Sequence, residues 1–117
     1  MPKEDFKIEK EAMPEKGVMV LHLGGYLDAH TFERLEEAIA DLFNEGHYKL
    51  VVDLERVEYI SSAGAGVFIG TLSEAHEHDG DIVLMSPTPN VREVFDLLGL
   101  TMVFQVVEDS RAALAAF

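Results

Sequence analysis

With 117 residues, 22 acidic and 9 basic side chains and no cysteine, the chain is long enough for one domain with its own core, and it has no thiol chemistry or disulfide to draw on. The formal charge of -13 repels nucleic acid over most of the surface, so direct nucleic-acid binding is not expected, and an acidic surface suits a basic partner face. No apolar run approaches a membrane span, and Lys3, Glu4 and Asp5 lack the apolar core of a secretory signal, so a cytoplasmic domain over residues 1–117 is expected.

Phe6, Ile8, Lys10 and Ala12 alternate with Lys7, Glu9 and Glu11, the period-two pattern of an edge strand with one wet face. Met13 to Gly17 reads as a turn. Val18 to Leu23 reads as a second, more apolar strand ended by Gly24 and Gly25, so the first pair should form an antiparallel hairpin. Asp28 is placed to cap a helix that starts at Ala29, carries an apolar stripe of Phe32, Leu35, Ile39, Leu42 and Phe43, and stops at Gly46. Tyr48 to Leu54 returns to the sheet, its continuous run Leu50, Val51, Val52 suiting a strand covered on both faces. Ser61 and Ser62 favour the start of the next helix, whose stripe is Ala65, Phe68, Ile69, Leu72 and Ala75, with Gly80 as its stop.

Ile82 to Met85 gives a fourth strand. Thr88 and Pro89 make a cap and first-turn pair for a helix burying Val91, Val94, Phe95 and Leu98 up to Gly99. Met102 to Val107 reads as a fifth strand, and Asp109 or Ser110 caps a short last helix. A hairpin followed by strand and helix in strict alternation predicts a single α/β domain: a mostly parallel five-stranded sheet with an N-terminal antiparallel hairpin and about four helices.

Lys49 to Gly70 is the stretch on which function turns. Val52-Asp53-Leu54, Val57 and Tyr59-Ile60-Ser61-Ser62-Ala63-Gly64 resemble the STAS domains of bacterial anti-sigma factor antagonists. The resemblance implies a serine at the helix start that is phosphorylated by a partner kinase, and the motif lays it on Ser62. Ser61 stands where many members carry an acidic residue and is the alternative acceptor. Gly24-Gly25-Tyr26-Leu27-Asp28-Ala29 looks like the second family motif, whose aspartate contributes to the partner surface. On that likeness Asp28, Ser61, Ser62, Ala63, Gly64 and Ala65 make the expected binding face. The partners implied are an anti-sigma factor serine kinase, bound when the serine is unphosphorylated so that a sigma factor is released, and a separate serine phosphatase. The chain itself would be no enzyme and hold no cofactor.

Other readings rest on the same residues. A serine between strand and helix is most often only a cap. A hydrolase elbow requires glycine where Ile60 stands. Gly64, Gly66 and Gly70 have the wrong spacing for a dinucleotide fingerprint, and a P-loop lysine is missing, so close packing or a smooth partner surface explains the glycines better than nucleotide binding. The five histidines are scattered, with His76 and His78 on different faces of one helix, which argues against a metal. The alternative within the fold is a STAS scaffold or adaptor, without a phosphate cycle, in a signalling or transport complex.

Overall fold

The computed structural model describes residues 6–117. Five strands, β1 (Phe6–Met13), β2 (Val18–Leu27), β3 (Lys49–Ile60), β4 (Asp81–Met85) and β5 (Val106–Val107), form one sheet in the order β1-β2-β3-β4-β5. β1 and β2 pair antiparallel and the remaining neighbours are parallel, as the alternation of elements predicted. The helices are α1 (Phe32–Asn44), α2 (Ser62–Glu77), α3 (Pro89–Leu97) and α4 (Ser110–Ala115).

Each crossover steps one strand in the same direction along the sheet, so crossovers of one hand place α1, α2 and α3 on the same face. That face carries the main core: Leu21, Leu50, Val52 and Leu54 from the strands against Leu35 and Ile39 of α1, Phe68 of α2 and Phe95 of α3. Phe68 meets Phe95 and Phe104 edge to face, with centroids 6.1 and 6.4 Å apart. On the opposite face Val18, Val20, Val51, Val83, Met85 and Val107 pack with Ala113 of α4. The middle strands are therefore apolar on both sides, which is why their sequences read as unbroken runs.

Several expectations need correction. Gly24 and Gly25 do not end β2, and Leu54 does not end β3: both strands continue, to Leu27 and Ile60. Along this extension the β2–β3 register slips twice, so β3 spends two extra residues, and its buried positions fall at Leu54, Val57 and Ile60, three apart rather than two. Ile69 of α2 is 53% exposed and Leu98 44%, while Val67 is buried in place of Ile69. Leu100–Met102 is a 3-10 turn rather than the start of β5, and Met102 and Val103 are exposed. The fifth strand is only its last two residues.

Candidate functional site

β2 and β3 run parallel and stay paired to their last residues, Leu27 opposite Ile60, so Asp28 and Ser61 follow directly at the same end of the sheet. The Ser61 amide donates to the Leu27 carbonyl at 3.0 Å and ties the two exits together. α2 then presses on the end of β2. A Cβ built on Gly64 would lie 2.5 Å from the Leu27 carbonyl oxygen and 2.8 Å from Leu27 Cγ, so only glycine allows this approach.

The two serines do different work. Ser61 is the N-cap of α2, half-buried, and its hydroxyl oxygen accepts from the Gly64 amide at 3.1 Å. Ser62 is the first residue of the helix and is exposed. Its hydroxyl makes no hydrogen bond among the described residues, in contrast to Ser61. With the Gly64 amide taken by Ser61 and the Ala65 amide donating to the Ser61 carbonyl, the amides of Ser62 and Ala63 are left as the unpaired donors of the first turn. No acidic residue lies in that turn. Added negative charge on Ser62 would therefore meet free N–H groups and the positive end of the helix dipole.

Asp28 does not cap α1 as expected. It lies a turn earlier, where its Oδ1 accepts from the His30 amide at 2.9 Å and from the Thr31 hydroxyl at 3.3 Å, while its own amide donates to Thr31 Oγ1. The N-cap is Thr31, whose hydroxyl is spent on Asp28 and on the Tyr26 carbonyl and gives the helix no side-chain cap. Asp28 thus holds the β2–α1 loop and is half-buried. Of the remaining residues of the expected face, Ala63 is exposed, whereas Gly64 and Ala65 are buried under it against Leu27 and the core.

The STAS domain family model matches residues 9–113. The chain belongs to the STAS family. BtrV of Bordetella bronchiseptica, a candidate anti-sigma factor antagonist, is 36% identical over 101 residues, covering 86% of this chain and 87% of its own. The anti-sigma-B factor antagonist of Staphylococcus epidermidis is 33% identical over 86 residues, covering 74% and 80%. The anti-sigma factor antagonist SpoIIAA in its unphosphorylated form superposes with a TM-score of 0.77 at 27% identity over 89% of each chain. The phosphorylated form of SpoIIAA from Bacillus gives 0.69 at 26% identity over 89% and 92%. By sequence and fold, this STAS domain is a member of the anti-sigma factor antagonist family.

Within this STAS domain the three glycines of α2 separate by environment. Gly64 is filled by Leu27, while Gly66 and Gly70 are exposed with nothing within 4 Å of an added Cβ, a smooth surface on the outer side of the helix. Among the described residues no histidine hydrogen-bonds either serine: His76 pairs with Asp81, His78 with the Glu74 carbonyl, and His22 with Asp53 and Glu11. Among the described residues, no three His, Asp or Glu side chains converge as a metal site, and no helix is long and apolar enough to cross a membrane. The His22 cluster is not legible in the chain, because its members lie on three strands whose pairing only the fold supplies; the one available signal is His22 and Asp53, polar residues within the apolar runs of β2 and β3.

Proposed function

We propose that this chain is a phosphorylation-switched anti-sigma factor antagonist. Unphosphorylated, it binds an anti-sigma factor that is also a serine kinase, and a sigma factor is freed for transcription. The kinase transfers the γ-phosphoryl group of its own ATP to the Ser62 oxygen: the O–P bond forms as the bond from the γ-phosphorus to the β–γ bridging oxygen breaks, ADP leaves, and the hydroxyl proton passes to a base of the kinase. A serine phosphatase later hydrolyses the phosphoserine to serine and inorganic phosphate. On this reading the chain is the substrate and not the catalyst. The contact surface is Asp28, Ser62 and Ala63 at the shared end of β2 and β3, with Ser61, Gly64 and Ala65 beneath as its support.

One observation carries the choice of Ser62 over Ser61: the Ser61 oxygen is engaged at 3.1 Å in capping the helix, whereas Ser62 stands exposed with an uncommitted hydroxyl. A phosphoserine brings about -1.5 to -2 charges. At the first turn of α2 it gains about 0.3 to 1 kcal/mol from the dipole and free amides, so the fold is kept and the partner surface alone is altered. The test is incubation with the anti-sigma factor kinase and ATP, followed by intact mass and peptide mapping. One phosphate on Ser62, and none on Ser62→Ala, is expected. Phosphate on Ser61 alone moves the acceptor; no phosphate on either serine, with the kinase still bound, makes the chain a STAS adaptor without a phosphate cycle.

A further inference from the structure

On the face opposite α1–α3, beside the part where Val18, Val20 and Val51 pack with Ala113 of α4, β1, β2 and β3 hold a cleft of 580 Å³ lined by His22. His22 bridges three strands. Its Nδ1 lies 2.7 Å from Asp53 Oδ2 on β3 and its Nε2 2.7 Å from Glu11 Oε1 on β1. In register it stands between Glu9 and Asp53. The charged residues that line the cleft with it are Lys7, Glu9, Lys10 and Glu11 of β1 and Asp53, Glu55 and Arg56 of β3. The side chains that touch it, Glu11 and Asp53, are both carboxylates, and an imidazolium at His22 complements the two.

The geometry also asks for the imidazolium. A neutral imidazole has one N–H and can donate to one carboxylate only; its other nitrogen would turn a lone pair on the second, at a distance that requires a shared proton. Burial works against the charge on His22, but the hydrogen bonds to Glu11 and Asp53 and the charge of both outweigh it, and its pKa is raised above 6.5. The two arms are unequal. Asp53 is mostly buried and its other oxygen accepts from the Glu55 amide at 3.1 Å, whereas Glu11 is largely exposed and has no other side-chain partner among the described residues. On loss of the proton, Glu11 is the arm that leaves.

Glu11 sits in the half of β1 whose backbone pairs with β2 as far as Met13 opposite Val18 but whose side chains bury little. Phe6 and Ile8 anchor the first half in the core, but Lys10, Glu11 and Ala12 are exposed and Met13 is only half-buried. We propose that Glu11, His22 and Asp53 form a proton-operated clasp that holds the second half of the edge strand β1 on the sheet and loosens it as pH rises through the neutral range. The sign follows from the direction of the shift: a group whose pKa is higher folded than unfolded stabilises fully below the unfolded value of about 6.5, and this stabilisation is lost as pH rises through the folded pKa.

The experiment is an NMR titration of the full chain from pH 5.5 to 9, reading the His22 ring and the exchange of β1 amides corrected for intrinsic base catalysis. A His22 midpoint above 6.5 is expected, shifted down in Glu11→Gln. Protection of Lys10 to Met13 should fall about two- to fivefold across that midpoint, the range for a partly exposed ion pair, while Phe6 to Ile8 changes little. In His22→Gln the pH-dependent part of this loss should vanish; if that variant folds poorly, Glu11→Gln, altered only at an exposed side chain, reads the same term. A His22 midpoint at or below 6.5, or an unchanged pH-dependent loss in the variant that folds, overturns the clasp.

Discussion

Replacing Gly64 by alanine tests whether the approach of α2 to the end of β2 builds the candidate site. The added Cβ would sit 2.5 Å from the Leu27 carbonyl oxygen and 2.8 Å from Leu27 Cγ. The carbonyl cannot simply turn away, because it accepts from the Ser61 amide at 3.0 Å. Either the first turn of α2 withdraws or the exit of β2 shifts, and overpacking of this kind costs about 1 to 3 kcal/mol. Alanine returns part of that, up to about 0.5 to 1 kcal/mol, as better helix propensity. A net loss of about 1 to 2 kcal/mol corresponds to a fall in Tm of about 4 to 8 °C at this chain length. The same helix supplies the control: Gly66→Ala and Gly70→Ala meet nothing within 4 Å and should raise stability by about 0.5 to 1 kcal/mol. Thermal and urea melts of the three variants decide it. If Gly64→Ala melts with Gly66→Ala at or above the parent, the close contact does not position α2 and the reasoning fails.

Ser61→Ala should lower stability by about 0.5 to 2 kcal/mol through loss of the cap, whereas Ser62→Ala should stay within about 0.5 kcal/mol of the parent; urea melts that reversed this order would exchange the roles of the two serines. Asp28→Asn keeps an oxygen to accept from the His30 amide and the Thr31 hydroxyl, so Tm should barely move while affinity for the anti-sigma kinase falls in a calorimetric titration. A large loss of stability with affinity intact would leave Asp28 only its structural role.

The α/β class, the hairpin, four helices and most of the core could be read from the chain because each rests on local periodicity and on cap chemistry. Thr88 and Asp109 cap α3 and α4 as their residue types predict, accepting from the amides of Val91 and Ala112. What escaped depends on contacts between distant residues. The sequence pattern of β3 stops at Leu54 because slips in register against β2 replace the period of two by a period of three beyond it, and that pairing is invisible in β3 alone. Aspartate before a helix usually caps it, which is why the sequence points to Asp28; here Thr31, three residues on, takes the cap position and binds the carboxylate. The five-strand order and the Glu11, His22 and Asp53 cluster are properties of pairing, not of sequence spacing. The serines were legible as a pair, but only the 3.1 Å bond from the Gly64 amide separates cap from free hydroxyl.

The switch itself is tested most directly by calorimetric affinity of the anti-sigma kinase for this chain, unphosphorylated and stoichiometrically phosphorylated on Ser62, with amide exchange of α2 recorded on both. A dianion set into a surface shaped for a hydroxyl must be desolvated or excluded, at a cost of roughly 3 kcal/mol or more, and each 1.4 kcal/mol is about tenfold. The account predicts binding weaker by about a hundredfold or more after phosphorylation, with α2 protection unchanged, Ser62→Ala bound like the unphosphorylated chain and Ser62→Asp weakened. Equal affinity of the two forms, or weakening that appears only with loss of α2 protection, would contradict a local charge and steric switch at Ser62.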